Sequence, residues 1–348
     1  MATEMLGGSP DRLDQSRTKR RGKTVRVLVT GGAGYIGSHL TDALMAGGHE
    51  VTVLDNLSTG RIANIRHLLD QPRFRFLCDT ILDAPLTDQL IAEADVVYHL
   101  AATVGVKYVV EDPLQCIVTN VRGTEIVLES AYRHWRRVVV ASSSEVYGKS
   151  EKAPLSEDDD SLLGPTAVGR WSYALSKALD EHLAFAYHRQ GLPVSVVRYF
   201  NSYGPRLDPN GYGSVLARFI NQTLDGQPIT VFDDGRQTRC FTYIDDTIRG
   251  TLLAGTLPQA EGRAFNIGNS RETSILELAH LVRNAVNPEV EVKHLPYTQA
   301  YGARFEETRR RVPDTRRARE LLGFEAQVAL EDGLCRTIDW FREQRTKR

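Results

Sequence analysis

The feature that most constrains the fold is a glycine-rich turn close to the start of the chain. A β-branched run over residues 25–30 leads directly into Gly31, Gly34 and Gly37, and an apolar helical pattern covers residues 36–46. With this spacing the first glycine permits a tight turn, the second lets the backbone approach a pyrophosphate, and the third lets the helix pack on the strand. The turn therefore predicts a strand–turn–helix unit that binds a dinucleotide.

The rest of the N-terminal half repeats this alternation of β-branched runs and helical patterns. The predicted strands cover residues 25–30, 50–54, 74–78, 96–100, 137–142 and 194–200, and the predicted helices cover residues 36–46, 113–134 and 173–190. Strands that alternate with helices long enough to cross one face of a sheet are typical of βαβ units. We therefore expect an α/β fold over residues 24–200, a Rossmann domain with a doubly wound parallel sheet.

The pattern changes after residue 200. Loops rich in glycine and proline separate shorter helical patterns, which begin near Ser214, Ile244, Ser274, Thr315 and Leu330. These patterns predict a smaller C-terminal lobe over residues 201–348. We expect the two parts to be interleaved, with the strand at residues 194–200 and the helix near Ile244 both returning to the sheet.

Composition narrows the classes of partner. The 348 residues carry a formal net charge of -1, so overall charge does not favour nucleic acid. No run reaches the roughly 20 apolar residues of a membrane helix. The four cysteines are scattered without metal-ligand spacing, which predicts no metal and a reducing, cytoplasmic location. Residues 1–23 are polar and end in a basic run, which predicts a disordered tail; address labels and phosphate-binding arms share this composition.

Asp55 indicates which dinucleotide binds. It closes the second predicted strand, about twenty residues after the glycines, where a carboxylate accepts hydrogen bonds from the adenosine ribose. Its charge repels the 2′-phosphate of NADP, and Asn56 and Leu57 follow it in place of an arginine. The sequence therefore predicts NAD as the cofactor and a small-molecule substrate.

Two further segments carry groups suited to proton transfer. Tyr173 and Lys177 share one face of a predicted helix, and a nearby ammonium lowers the pKa of a phenol toward that of a general base. The fifth predicted strand runs into Ser143, Ser144 and Glu145 at the carboxyl edge of the sheet, where α/β ligands bind. Hydroxyl groups at this edge can hold a substrate oxygen. We expect the two segments to face the same crevice, because both follow strands that end there.

In this combination the sequence resembles the extended short-chain dehydrogenase/reductases that act on nucleotide sugars. The resemblance covers nearly everything from residue 25 to the C-terminus. Its further motifs are His99-Leu100-Ala101-Ala102, Asn120-Val121-Arg122-Gly123-Thr124, Arg198-Tyr199-Phe200-Asn201, Gly204-Pro205-Arg206 and Arg239-Cys240-Phe241-Thr242. It implies an NAD-dependent enzyme, a C-terminal lobe that binds the nucleotide sugar, and a homodimer formed through two helices per subunit.

The residues and the resemblance together give three sets of candidate site residues. The catalytic candidates are Ser143, Ser144, Glu145, Tyr173 and Lys177. The cofactor-binding candidates are Gly31, Gly34, Tyr35, Ile36, Gly37, Asp55, Asn56, Asp79, Leu100, Ala101 and Ala102, together with Tyr173 and Lys177. The substrate-binding candidates are Lys107, Asn201, Arg206, Arg239 and Arg311. Among these, the resemblance implies that Asn201 and Arg239 contact the diphosphate, while Lys107 is a candidate partner for a sugar carboxylate or simply solvent-exposed.

The resemblance implies a shared first step, in which the tyrosinate takes the C4 hydroxyl proton of the sugar while hydride passes to the nicotinamide. The pocket then decides the outcome. The 4-epimerases return hydride to the other face, the 4,6-dehydratases eliminate water, and the uronate decarboxylases lose a carboxylate that has become β to a ketone.

Three sequence motifs favour decarboxylation of UDP-glucuronate to a UDP-4-keto-pentose or UDP-xylose, because they resemble motifs of the decarboxylases. They are Ser144-Glu145-Val146-Tyr147-Gly148, Arg170-Trp171-Ser172-Tyr173 and Arg310-Arg311-Val312-Pro313-Asp314. Many 4-epimerases carry a small residue in place of Glu145, and Ser144 stands where dehydratases of the dTDP-glucose type have an acid. The Asp158-Asp159-Asp160 run and an insertion before Gly169 match the decarboxylases poorly.

Other functions remain open at this point. The first alternative is a 4-epimerase acting on UDP-glucose or UDP-glucuronate, and the second is a nucleotide-sugar 4,6-dehydratase. The resemblance implies that Ser143, Tyr173 and Lys177 form a catalytic triad. A protein that binds NAD(H) without catalysis should lack an intact triad, whereas all three residues are present.

Overall fold

The computed structural model of the chain describes residues 24–105, 112–208, 214–297, 299 and 308–347. Its strands are β1 Arg26–Thr30, β2 Glu50–Leu54, β3 Phe74–Leu77, β4 Val96–His99, β5 Arg137–Ser143, β6 Val194–Tyr199, β7 Ser202–Tyr203, β8 Ile229–Phe232, β9 Thr238–Cys240, β10 Thr242–Tyr243, β11 Ala264–Ile267, β12 Glu272–Ser274 and β13 Val292–Leu295. The predicted tail, residues 1–23, lies outside the described residues.

The helices cover both faces of the main sheet and build most of the C-terminal part. They are α1 Tyr35–Ala46, α2 Ala84–Glu93, α3 Pro113–Ile117, α4 Gly123–Arg133, α5 Trp171–Arg189, α6 Val215–Leu224, α7 Ile244–Thr256, α8 Ile275–Val286, α9 Arg316–Leu322 and α10 Leu330–Thr346. Short 3₁₀ turns lie at Ile62–Asn64, Arg66–Leu68, Ser144–Tyr147 and Pro258–Ala260. No described helix is long and apolar enough to cross a membrane.

Seven strands form one parallel sheet in the order β11-β6-β5-β4-β1-β2-β3. The order reverses between β1 and β4, and α/β ligands bind outside the carboxyl ends of the strands at such a switch point. Both faces of the sheet are buried, since Val27 and Val29 of β1 pack into one apolar cluster and Leu28 packs into another. The predicted Rossmann-type α/β fold is therefore confirmed.

The six predicted strands all form, and each end lies within one residue of its predicted position. The predicted helix over residues 113–134 forms as α3 and α4, with a π-helical turn, Val118–Arg122, between them. The part of the chain after residue 200 contributes β11, which pairs with β6, and α7, which packs on β5, β6 and α1. The functional division of the chain at residue 200 stays a prediction.

Two elements near the sheet were not predicted from the sequence. The first is α2, although Asp83 accepts a hydrogen bond from the N–H of Leu86 and Pro85 stands in the first turn, both of which are signals of a helix start. The second is β11, whose four residues are all buried. An apolar run this short does not distinguish a strand from a helix segment.

Candidate active site

The catalytic turn, which we define as residues 143–148, begins where β5 ends at the carboxyl edge of the sheet. The Ser143 hydroxyl accepts a hydrogen bond from the N–H of Glu145 at 3.2 Å and so caps the 3₁₀ turn that follows. Gly148 closes the turn with a φ of +60°, and a Cβ there would lie 2.2 Å from the carbonyl oxygen of Leu162. Only glycine fits this crowded position with a positive φ, so Gly148 ends the 3₁₀ turn here.

Helix α5 carries the two other predicted catalytic residues. Tyr173 and Lys177 stand one helical turn apart, and the Lys177 ammonium contacts Asp180 at 3.0 Å. Burial raises the pKa of Tyr173 well above its ordinary value, the charge of Glu145 adds to the rise, and a hydrogen bond with Ser143 opposes it. These effects show that Ser143, Glu145 and Tyr173 share one site. A general-base role for Tyr173 requires positive charge nearby, because the protein alone favours the neutral phenol.

Glu145 lies between two arginines. Its Oε1 accepts a hydrogen bond from Arg311 Nη1 at 2.7 Å, and its Oε2 is 3.7 Å from Arg170 Nη2. Burial alone would raise the pKa of Glu145, but the charges of Arg311, Arg170 and Arg239 lower it to about 2. Glu145 is therefore ionised at neutral pH, and it cannot donate a proton as a general acid there.

The C-terminal segment that carries Arg311 is held against the catalytic turn by backbone and side-chain hydrogen bonds. Leu155 donates to the carbonyl of Val312 at 2.8 Å and accepts from the N–H of Asp314 at 2.8 Å. Asn266 of β11 donates to the carbonyl oxygens of Leu155 and Asp314 and accepts from the Tyr147 hydroxyl. Residues 308–314 therefore have a defined position relative to Glu145, although they are far away in sequence.

The predicted substrate-binding residues are placed differently from one another. Asn201 follows β6 with a φ of 37°, and its Oδ1 is buried with no hydrogen-bond partner among the described residues. Arg239 is buried on β9 and acts electrostatically on Glu145. Arg206 donates to Asp42 of α1 at 2.6 Å, a contact that the sequence did not indicate. Lys107 lies outside the described residues.

Comparison with known proteins identifies the family. The profile of the NAD dependent epimerase/dehydratase family matches residues 27–268. The UDP-N-acetyl-alpha-D-glucosaminuronate decarboxylase of Bacillus cytotoxicus is 42% identical over 318 residues, which cover 91% of this chain and 98% of that protein. The chain belongs to the NAD-dependent epimerase/dehydratase family.

Two further relatives of this family show how its members vary. UDP-glucuronic acid decarboxylase 1 of Xenopus tropicalis is 38% identical over 320 residues, which cover 92% of this chain and 72% of that protein. The UDP-glucuronic acid 4-epimerase of Bacillus cereus, solved with UDP-glucuronic acid and NAD, is 32% identical and superposes with a TM-score of 0.82, covering 92% of this chain and 99% of that chain. The fold is therefore shared by family members that carry different activities.

The glycine-rich turn fits the NAD that this family uses. A Cβ at Gly31 would lie 2.7 Å from the backbone nitrogen of Ala101, and a Cβ at Gly37 would lie 2.1 Å from the carbonyl oxygen of Gly31. Helix α1 begins directly after Gly34, and Tyr35 and Ile36 form its first turn. No side chain caps this end of the helix. The turn thus offers backbone N–H groups to a pyrophosphate and leaves no side chain in the way.

Asp55, at the end of β2, is tied to this turn. Its two oxygens accept the N–H groups of Ala33 at 2.9 Å and Leu57 at 2.8 Å. Burial raises the pKa of Asp55, and these hydrogen bonds oppose the rise. A carboxylate oxygen can accept a second hydrogen bond, so the contacts are compatible with the predicted binding of ribose hydroxyls.

The other predicted cofactor residues line the neighbouring strand ends. Asn56 and Asp79 are turn residues whose side chains accept the N–H groups of Ser58 and Thr80, respectively. Leu100 and Ala101, the start of the segment that ends with Ala102, hydrogen-bond to Thr30 at the end of β1. These residues and the glycine turn follow the carboxyl ends of neighbouring parallel strands, and their contact with NAD stays a prediction.

Two residues of the site were missed by sequence reasoning. Arg170 was noted only as part of a motif, yet it lies beside Glu145; its position three residues before Tyr173, at the start of a helix, was an available signal. Asn120 lies in the π-helical turn and joins the loop after β4 to the catalytic helix, because its Nδ2 donates to Thr103 and to Ser176. Functional sites are a frequent location of such turns, but sequence periodicity does not reveal them. No group of three or more potential ligands in the described part of the chain could hold a metal.

Proposed function

We propose that the protein is an NAD-dependent carboxy-lyase that decarboxylates UDP-glucuronate. The observation that carries the proposal is the ion pair between Glu145 and Arg311 in the same pocket as Tyr173. Oxidation at C4 alone requires neither charge, whereas a uronate substrate brings a C6 carboxylate that a guanidinium in the pocket of Tyr173 can bind. The decarboxylase names of the two curated relatives point in the same direction.

The first step belongs to Tyr173, Lys177 and Ser143. The phenolate of Tyr173 takes the proton of the C4 hydroxyl, the Lys177 ammonium favours the phenolate, and the Ser143 hydroxyl holds the same sugar oxygen. When bound, NAD supplies the acceptor for the C4 hydride and adds positive charge next to Tyr173. The C4 carbon becomes a ketone, which makes the C6 carboxylate a β-keto acid.

The second step breaks the bond between C5 and C6. The electron pair of that bond moves toward the C4 oxygen and forms an enolate, and the carboxylate leaves as carbon dioxide. Hydrogen bonds from Ser143 and Tyr173 stabilise the enolate oxygen. The Arg311 guanidinium supplies a cation that orients the C6 carboxylate of the substrate. The ionised Glu145 holds this guanidinium in place and repels the substrate carboxylate from other positions near Glu145. A proton returned to C5 gives a UDP-4-keto-pentose, and return to C4 of the hydride that NAD accepted in the first step would convert it to UDP-xylose.

The test is product analysis after incubation of the purified protein with NAD and, in separate reactions, UDP-glucuronate and UDP-glucose. We expect loss of carbon dioxide from UDP-glucuronate by mass spectrometry and no change in the mass of UDP-glucose. Tyr173→Phe serves as the inactive control. An unchanged mass with formation of the C4 epimer would replace the proposal with a 4-epimerase, and loss of water would replace it with a dehydratase.

A second substrate is favoured by one comparison. The Bacillus cytotoxicus relative, at 42% identity, is named for UDP-N-acetyl-alpha-D-glucosaminuronate. That sugar differs from UDP-glucuronate at C2, whereas the chemistry at C4, C5 and C6 is the same. Parallel kcat/KM measurements with the two uronates decide between them, because the preferred substrate gives the larger value.

The assembly we propose is a homodimer. Leu114 and Ile117 of α3, and Leu175 and Leu179 of α5, are large apolar side chains exposed on two helices that contact each other. Spacings of three and four residues put each pair on one face of its helix. A second copy that presents the same face would bury all eight side chains around a two-fold axis. A reducing cytoplasmic location belongs to the same proposal and is compatible with the four free cysteines.

A further inference from the structure

A buried carboxylate lies next to the predicted catalytic ammonium. Asp180 is three residues after Lys177 on α5, and its Oδ2 is 3.0 Å from Lys177 Nζ. The side chains are 4% exposed for Lys177 and 0% exposed for Asp180. Burial raises the pKa of Asp180, and the Lys177 ammonium opposes the rise. Removing one member of such a pair leaves the other charge buried without compensation, so the two side chains fix each other's position.

We infer that Asp180 is a positioning residue that holds the Lys177 ammonium in place and offsets part of its positive charge at Tyr173. The inference rests on one part of the proposed function, the role of Tyr173 as the general base. Lys177 and Asp180 together form a dipole rather than a single charge. The electrostatic support that Tyr173 receives from α5 is therefore smaller than a lone ammonium would give.

Other titratable groups face this pair from neighbouring elements. Burial lowers the pKa of His99 on β4 to about 3, so its ring is neutral at physiological pH. Burial raises the pKa of Cys116 on α3 to about 11, so its thiol is also neutral. Glu181, the next residue of α5, is ionically paired with Arg198 at 2.6 Å. Among these groups of the described structure, Asp180 is the one whose carboxylate is in direct contact with Lys177.

Two carboxylates act on Tyr173. Burial raises the pKa of Tyr173 most, the charge of Glu145 in the catalytic turn comes next, and Cys116 and Asp180 add smaller increases, while the hydrogen bond with Ser143 lowers it. The charge of Glu145 is balanced by the contact with Arg311. Loss of the Asp180 charge should therefore strengthen the effect of Lys177 and make Tyr173 easier to ionise.

The test measures the ionisation of Tyr173 directly in the NAD-bound protein. Tyrosinate absorbance is recorded against pH for wild type and for Asp180→Asn, and the same titration of each protein with the additional change Tyr173→Phe is subtracted. We expect the midpoint assigned to Tyr173 to fall by about one pH unit in Asp180→Asn. The acidic limb of the pH profile for carbon dioxide release should move in the same direction.

Three further variants make the result specific. Asp180→Ser removes the same charge if Asp180→Asn does not fold, and Asp180→Glu keeps the charge and should restore a midpoint close to that of wild type. Asp246→Asn is the matched control, because Asp246 is buried on α7 and pairs with Arg249 three residues away, outside the site. It should lower stability without moving the midpoint. Thermal unfolding checks that each variant is folded.

The outcomes separate this inference from the proposed function. A midpoint that stays at or rises above the wild-type value in a folded, uncharged Asp180 variant overturns the inference, even if carbon dioxide is released. A lowered midpoint in a protein that decarboxylates neither uronate supports the inference and overturns the proposed function instead.

Discussion

Glu145 is the residue whose environment distinguishes the site most clearly, because a partly buried carboxylate is held ionised by arginines beside the phenol that starts the reaction. We predict that Glu145→Gln still forms NADH from UDP-glucuronate but releases carbon dioxide at least about tenfold more slowly, since Arg311 loses the anion that orients it. Stopped-flow absorbance measures the first step, and trapped carbon dioxide measures the second.

The matched control for this variant is Glu331→Gln. Glu331 is also paired with an arginine, Arg271, at 2.8 Å, and its pKa is also lowered, mainly by the hydrogen bond from Arg271. It is exposed on α10 and outside the described site, so both steps should keep their wild-type rates. Equal slowing of NADH formation and of carbon dioxide release in Glu145→Gln would contradict a role confined to the second step.

Glu145 also predicts a pH dependence of stability. Its pKa in the folded protein is about 2, below the value of about 4.3 for an unfolded chain. A depressed pKa gives stability that is present above the unfolded value and is lost as the pH falls toward the folded value. The difference in free energy of unfolding between wild type and Glu145→Gln should therefore shrink between pH 5 and pH 3, by on the order of 1 kcal/mol. Denaturant unfolding at the two pH values measures it, and a constant difference would contradict the assignment.

Asp55 predicts the cofactor preference. A carboxylate at the end of β2 would face the ribose and repel a 2′-phosphate, so wild type should bind NAD at least about tenfold more tightly than NADP. Calorimetry with the two dinucleotides tests the preference. Asp55→Asn should reduce it, because the amide removes the charge while Oδ1 can still accept a backbone hydrogen bond. Equal affinities of the wild-type protein for NAD and NADP would show that Asp55 does not discriminate between a ribose hydroxyl and a 2′-phosphate.

At the scale of secondary-structure elements, β11 links the catalytic turn to the C-terminal segment. Asn266 is fully buried, and its side-chain amide makes three hydrogen bonds, to Tyr147, Leu155 and Asp314. We predict that Asn266→Ala lowers the free energy of unfolding by about 2–4 kcal/mol, because buried polar groups lose their partners. It should also slow carbon dioxide release more than NADH formation, because Arg311 is carried by the displaced segment.

Asn284→Ala is the control for this change, since Asn284 is exposed on α8 and should alter neither stability nor the two rates. Denaturant unfolding and the two rate measurements, made on the same preparations, test the prediction. Wild-type stability in Asn266→Ala would show that the three hydrogen bonds contribute little to holding the segment.

The elements that were predicted and those that were missed differ in a physical way. The strands β1 to β6 and the long helices have strong local patterns, and the glycine turn has a spacing that few other structures require. The contact of Arg311 with Glu145 depends on residues 166 positions apart, which are joined through β11 and Leu155. The ion pair of Lys177 with Asp180 is local, but the i,i+3 spacing alone does not show that both side chains are buried. Periodicity in the sequence carries no information on either contact.

At the scale of the whole molecule, the catalytic helix also forms part of the proposed dimer face. Lys177 is buried and Tyr173 is half-buried on α5, whereas Leu175 and Leu179 on the same helix are 51% and 42% exposed. Because α3 packs against the same helix, one rigid pair of helices would support both the active site and the dimer contact. Dimerisation would thus restrain the helix on which proton transfer depends.

The dimer face gives the last prediction. Leu114→Glu combined with Leu175→Glu places two charges on a surface that a second copy would bury, at an expected cost of several kcal/mol, so the protein should become monomeric. Size-exclusion chromatography with light scattering measures the molar mass. Leu69→Glu is the matched control, because Leu69 is 42% exposed outside α3 and α5, and it should remain a dimer. If the double variant keeps the wild-type mass, these helices are not the contact. A monomer that folds but forms NADH more slowly would show that the contact supports α5, whereas a fully active monomer would limit the dimer to a structural role.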